Sequence, residues 1–139
     1  VSSDPADDAV LDDDVLEANL AFYGALEAGD LEAMSALWGH GDDVVCAHPG
    51  RPPVRGWTDV RRSWQAIFDG GGNPQVIVTD AEVGRRGSTA WVTATENLLT
   101  GRHTAATTAL NIFHLDDSDP SSFGGWKLVA HHAGPIMGS

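Results

Sequence analysis

The chain is short of several residue types, and each shortage removes a class of function. One cysteine, Cys46, in 139 residues excludes an internal disulfide and any zinc site built from cysteine alone, which suits a reducing compartment. Residues 1–50 hold twelve acidic side chains and no lysine or arginine; residues 51–139 hold eight of each sign, so the whole net charge of −12 falls on the first third. Such a surface repels phosphate backbones and anionic lipid, and neither nucleic acid nor a membrane is expected as a partner. No apolar run approaches the ~20 residues needed to span a bilayer. The start, Val1-Ser-Ser-Asp-Pro5, has neither the basic residues nor the apolar stretch of a signal peptide, so the expected location is cytoplasmic. A phosphate-binding glycine loop is missing too, because Gly70-Gly-Gly72 closes a helical pattern where phosphate binding needs one to open. No nucleophile elbow is present.

What is present fits one α+β domain. Residues 1–11 are Ser, Asp, Ala and Pro with little apolar content and read as a disordered acidic tail, followed by a single domain over 12–139. Asp12-Asp13-Asp14 can cap a first helix that carries Leu16, Leu20, Tyr23 and Leu26 at helical spacing. Gly29 ends it, and Asp30 caps a second helix with Leu31, Met34, Leu37 and Trp38 on one stripe. A strand from Asp42 to Ala47 leads into His48-Pro49-Gly50, and Arg51 to Gly56 reads as a turn with a short edge strand. Val60, Trp64, Ile67 and Phe68 then mark a third helix.

The remainder is β. Pro74–Val83, Ser88–Leu99, His103–Leu115 and Trp126–Ala133 are rich in Val, Thr, Ile, Trp and Phe. Their connections, including the polar Asp116–Gly125 link, are too short for crossover helices, which predicts an antiparallel meander with the helices on one sheet face. The last strand alternates Trp126, Leu128, Ala130 and His132 against Lys127, Val129, His131 and Ala133. It is apolar on both sides and belongs mid-sheet. Which of its two histidines looks inward stays open.

The run Ala25-Leu-Glu-Ala-Gly-Asp-Leu-Glu-Ala-Met-Ser-Ala-Leu-Trp38, the strand into His48-Pro49-Gly50, Gly56 opening the next helix and the closing Trp126…His132 resemble the nuclear transport factor 2-like (NTF2-like) superfamily in its SnoaL-like branch, over residues 14–134. The resemblance implies a cone-shaped barrel in which a strongly curved, mainly antiparallel sheet wraps the first helix and leaves a pocket at its open end. It also implies a homodimer through the outer sheet face. Activities in the family include ketosteroid isomerase, polyketide cyclase, dehydratase and epoxide hydrolase, alongside non-catalytic binding and assembly modules, so the fold alone does not name the function. The isomerase's catalytic Asp-Pro falls on or beside His48-Pro49, the protonated Asp of its oxyanion hole on Asn111, and its hydroxyl-bearing Tyr on Phe22, with Tyr23 one place off. Ala130 replaces the first histidine of the Trp-x-x-x-His-x-His ending seen in some relatives.

His48 is the first candidate for chemistry, since an imidazole at a strand end facing a pocket mouth suits proton transfer near neutral pH; the plain alternative is a histidine packed beside Pro49. Asn111 is expected as hydrogen-bond donor to a developing oxyanion and His132 as the partner of His48. Phe22, Cys46 and Trp64 are expected to line the cavity. Glu96, on the side of its strand that carries Val92, Ala94 and Leu98, is either desolvated at the ligand or placed at solvent near the strand end. Cys46 and His48 share a strand face, and a last-strand histidine joining them would complete a Cys-His-His set; a small buried cysteine is ordinarily core, so no metal is assigned. The expected function is proton-transfer chemistry of isomerase, cyclase or dehydratase type on a small, mainly apolar, polyketide- or steroid-like molecule, which needs no cofactor. The alternative is a ligand-binding or dimeric assembly module without turnover.

Overall fold

The structure, a computed structural model, describes residues 5–116, 118 and 123–136. Helices α1 (Pro5–Ala28) and α2 (Leu31–Leu37) precede the short strands β1 (Val45–Ala47) and β2 (Val54–Arg55). Helix α3 (Trp57–Asp69) follows, then the long strands β3 (Gln75–Arg86), β4 (Thr89–Thr100), β5 (His103–Leu115) and β6 (Trp126–Pro135), with a 3-10 turn at Phe123–Gly125 before the last. The strands form one six-stranded sheet in the order β2-β1-β6-β5-β4-β3, antiparallel throughout except where β1 runs parallel to β6. This is the expected α+β arrangement, with β1 and β2 inserted before the third helix. Among the described residues no helix is long and apolar enough to cross a membrane.

Helix α1 begins seven residues earlier than the Asp12 start expected from sequence. Pro5 opens it, in the first turn where a missing N–H costs nothing. Leu11 packs against the core and Arg85 Nε lies 3.6 Å from Asp12 Oδ1. Residues 1–4 and, in the Asp116–Gly125 link, residues 117 and 119–122 lie outside the described residues. The buried face of α1 also differs from the expected stripe: Val15, Ala18, Asn19, Phe22, Tyr23 and Ala25 are buried, whereas Leu20 is 62% exposed. Counting apolar residues favours Leu20 over Asn19; the helix instead turns Asn19 inward, where the sheet supplies a partner for its amide.

The link between α1 and α2 is specified locally. Gly29 takes φ +62°, and the Gly29 and Asp30 amides donate to the Leu26 and Ala25 carbonyls, so the helix closes on a Schellman motif that needs the glycine. Asp30 is extended and its carboxylate accepts from the Ala33 amide at 3.0 Å, capping α2. Asp30→Ala should therefore cost about 1 kcal/mol, read as a lower urea midpoint with an unchanged m-value.

On the sheet, one face packs on α1. Along β4 the buried row is Ala90, Val92, Ala94 and Glu96, and along β5 it is Thr107, Ala109, Asn111 and Phe113. Glu96 stands opposite Thr107, and Asn111 opposite both Val92 and His131. Trp38, Phe22, Phe113, Trp126 and Leu128 complete the core, each large apolar side chain contributing roughly 1.5–3 kcal/mol by burial.

Strand β6 breaks the strict alternation read from sequence. Ile112 pairs with Ala130 and Phe113 with Leu128, so Val129 has no opposite residue and forms a β-bulge. A bulge shifts every later side chain to the other face. Trp126 and Leu128 point inward before it; His131 and Ala133 do so after it, and His132 is turned outward and exposed.

Candidate functional site

The inward face of β6 beyond the bulge, the end of β1 and the middle of α1 meet inside the domain. The parallel pairing of β1 with β6 sets Cys46 beside His131. Phe22 packs on His131 (ring centroids 4.8 Å apart) and edge-on to Trp64 (5.6 Å), and Trp64 in turn meets His48 (4.7 Å) and His131 (6.2 Å). The expected lining residues Phe22, Cys46 and Trp64 are thus brought together with His48, all of them buried. His132 is not among them. The bulge at Val129 hands its expected place to His131; with either last-strand histidine, among the described residues no three His, Cys, Asp or Glu side chains are placed to hold a metal ion.

A chain of hydrogen bonds runs from this cluster along the sheet. His131 Nδ1–H donates to Asn111 Oδ1 (2.5 Å). The Asn111 amide nitrogen donates to Asn19 Oδ1 (2.8 Å) and to the Tyr23 oxygen (3.1 Å). The Tyr23 hydroxyl donates to Glu96 Oε2 (2.7 Å), and Thr107 Oγ1 donates to Glu96 Oε1 (2.6 Å). Every one of these side chains is at most 5% exposed. Of the two placements open to Glu96, the structure has the buried one, with both oxygens accepting.

Two corrections follow for the expected roles. Asn111 is buried on the inward face, but its carbonyl and both amide hydrogens are committed within the protein, so it has no donor left for a substrate oxyanion. Tyr23, the next residue after Phe22 on the same helix, also reaches the interior, and its hydroxyl is buried there against Glu96. Asn19 was not legible as a site residue. Its signal was an amide four residues from both Val15 and Tyr23, on what proves to be the buried side of α1.

Electrostatics follow from burial. His131 is pushed down to about 3, chiefly by desolvation and then by His48 and His132 nearby, and is therefore neutral at physiological pH. The bond to Asn111 places its proton on Nδ1, which leaves the Nε2 lone pair without a partner among the described residues. His48 is lowered as well, by burial and then by the Arg51 charge. The Ser63 hydroxyl donates to the Val60 carbonyl (2.6 Å), so its oxygen accepts from His48 Nε2–H (3.0 Å). Cys46 Sγ lies 3.6 Å from the same nitrogen, but burial pushes the thiol up to about 12, which makes it packing and not a nucleophile. Tyr23 is raised by burial first and by the Glu96 carboxylate second, so it remains a hydroxyl donor. The indole N–H of Trp64 is buried and has no acceptor among the described residues.

Two cavities open on the sheet, and the second reaches His131 of this cluster. One of about 570 Å³ is bordered by Val45, Ile112, His114, Val129 and Ala130, and another of about 270 Å³ by Arg51, Arg55, Leu110, His131 and His132.

Comparison with known proteins agrees with this architecture. A family described as SnoaL-like domain matches residues 15–138. Among solved structures, the chain is similar to a provisionally named dehydratase of the NTF2-like family from Streptomyces avermitilis, with 36% identity, a TM-score of 0.83, and coverage of 97% of this chain and 100% of that one. A provisionally named calcium/calmodulin-dependent protein kinase type II association domain from Thiobacillus denitrificans is 31% identical, with a TM-score of 0.76 over 86% of this chain and 93% of that one. An NTF2-like protein of unknown function from Pseudomonas putida, at 13% identity and a TM-score of 0.76 over 88% and 84%, shares the fold. No curated protein matches the chain. With the helical link, the β1–β6 pairing and the family match in place, the chain belongs to the SnoaL-like domain family of the NTF2-like superfamily.

Proposed function

We propose that the chain is an acid–base enzyme that removes water from, or moves a double bond within, a small and mainly apolar molecule of polyketide- or steroid-like character. The observation that carries this reading is His131: a buried neutral imidazole, oriented by Asn111, whose Nε2 lone pair is uncommitted in an aromatic-lined interior beside His48. Burial keeps this imidazole unprotonated, with its lone pair available, across the physiological range. In the dehydratase form of the reaction, Nε2 takes a proton from the carbon next to a substrate carbonyl. The carbon–oxygen bond of the β-hydroxyl then breaks as the double bond forms, and the same proton leaves with the hydroxide as water. His131 ends neutral, no cofactor is consumed, and its low basicity favours return of the proton. The Trp64 indole N–H is a further donor beside the two histidines. The 36% identical relative, named provisionally as a dehydratase, supports the same reaction class.

The test is an assay of the purified chain against β-hydroxy carbonyl compounds and β,γ-unsaturated ketones of increasing apolar size, following the absorbance of the conjugated product. Turnover of one of these classes supports the reading. No turnover of any of them, with no shift in melting temperature on adding them, removes it.

A second reading is a dimeric assembly module, favoured by the outer sheet face. There Leu110 is 38% and Ile77 49% exposed, and one similar structure is named as an association domain. A stable homodimer through that face in sedimentation, together with no turnover, is the outcome that selects it.

A further inference from the structure

We infer that Glu96 is a positioning residue that sets the tautomer of His131 from the far end of the buried hydrogen-bonded chain. A carboxylate offers only acceptors, and Glu96 is met by the Tyr23 and Thr107 hydroxyls, one on each oxygen. The single proton of Tyr23 is therefore spent on Glu96, and its oxygen can only accept from the next group. That group is Asn111, which must turn its amide nitrogen toward Tyr23, where it also reaches Asn19 Oδ1. The Asn111 carbonyl is left facing His131, and a carbonyl can only accept, so the imidazole proton sits on Nδ1 and Nε2 carries the lone pair. Three hydrogen bonds thus carry a donor–acceptor polarity from a residue on β4 to one on β6.

No other group in the chain has a fixed polarity. Hydroxyls rotate, and Asn amides present either end to a neighbour. With the carboxylate gone, the Tyr23 proton is a buried donor without an acceptor, at a cost that a reversal of the chain removes. Tyr23 would then donate to the Asn111 carbonyl, the Asn111 nitrogen would donate to His131 Nδ1, and the imidazole proton would move to Nε2. Asn19 would turn its own amide to match.

The consequence for catalysis rests on the proposal above, since an Nε2–H imidazole has no lone pair for the substrate proton. The tautomer itself does not rest on it, and the experiment needs no substrate. Nitrogen-15 NMR of the imidazole side chains separates protonated from unprotonated ring nitrogens, and the His131 signals are assigned by their loss in His131→Asn. At neutral pH the wild-type chain should show His131 as the Nδ1–H tautomer. The double variant Glu96→Met, Thr107→Val replaces both members of the cross-strand pair by apolar groups, so that the Tyr23 hydroxyl is the one group left to find a new acceptor. It should reverse the tautomer ratio by roughly tenfold or more. Thr107→Val alone keeps the carboxylate and should leave the ratio as in wild type. An Nε2–H signal in the wild-type chain overturns the inference without any variant. A folded double variant that retains the Nδ1–H signal overturns it too, and assigns the orientation to Asn19. A switched tautomer in a chain that turns over nothing would leave the inference standing and remove the catalytic reading.

Discussion

Replacing His131 with Asn is expected to lower turnover by about 100- to 10,000-fold, the range over which a positioned acid–base group ordinarily acts. An Asn amide nitrogen overlies the place of imidazole Nδ1, so the variant keeps a donor for Asn111 Oδ1 and loses only the Nε2 position and the ring. The hydrogen-bonded chain through Asn111, Tyr23 and Glu96 stays satisfied. Some packing is lost where the ring meets Phe22 at 4.8 Å and Trp64 at 6.2 Å, which should show as a lower melting temperature with a cooperative transition retained. Because the proton step is removed and the substrate's apolar contacts are not, the loss should fall on kcat more than on KM. His132→Ala is the control, since that side chain is exposed on the other face of β6; its rate should stay within a few-fold of wild type. A folded His131→Asn chain that keeps more than about a tenth of the wild-type rate would show that the base lies elsewhere, with His48 the next group to test.

His131 and His132 also show how far the sequence could be read. The order of elements, the Gly29–Asp30 link, the edge strand at Val54–Arg55 and the extent of β5 were all legible, because each is written in local signals: turn residues, caps and runs of β-branched residues. Phe22, Cys46, His48 and Trp64, each singled out in the sequence, lie together in the structure. The identity of the inward histidine did not follow. One unpaired residue in Val129-Ala130 reverses the sense of the strand beyond it, and neither residue type announces a bulge. Asn19 was hidden for a related reason. A buried amide is favourable only through its partner, and that partner, Asn111, is 92 positions away. Glu96 could be recognised as a carboxylate on an apolar strand face, but its burial depended on Thr107 and Tyr23 lying within reach, which is a property of register and helix rotation.

Acid should unfold this protein through His131, and the direction can be worked out from the shift. The folded group titrates at about 3 and the unfolded one at 6.5. Above pH 6.5 neither state holds the proton, so this group makes no difference to stability. Between 6.5 and about 3 the unfolded chain binds a proton that the folded one refuses, and stability falls as pH falls, by about 1.4 kcal/mol per pH unit. Below about 3 both states are protonated and the loss levels off. His48, lowered by burial and by Arg51, adds to the fall with the same sign. On the alkaline side Cys46 acts in the opposite sense. Its thiol is held from an ordinary 9.0 up to about 12, so the folded chain keeps a proton that the unfolded chain releases, and stability declines as pH rises through that window. The expected profile is a plateau from about pH 6.5 to 9 with a fall on each side. The measurement that isolates His131 is a difference: urea midpoints of wild type and His131→Asn at pH 7 and pH 5. The two should diverge at neutral pH and converge by about 2 kcal/mol at pH 5, because the variant has no buried imidazole to protonate on unfolding. Parallel pH profiles would mean that His131 is reached by water in the folded chain, and the neutral, oriented base on which the proposed chemistry depends would go with it.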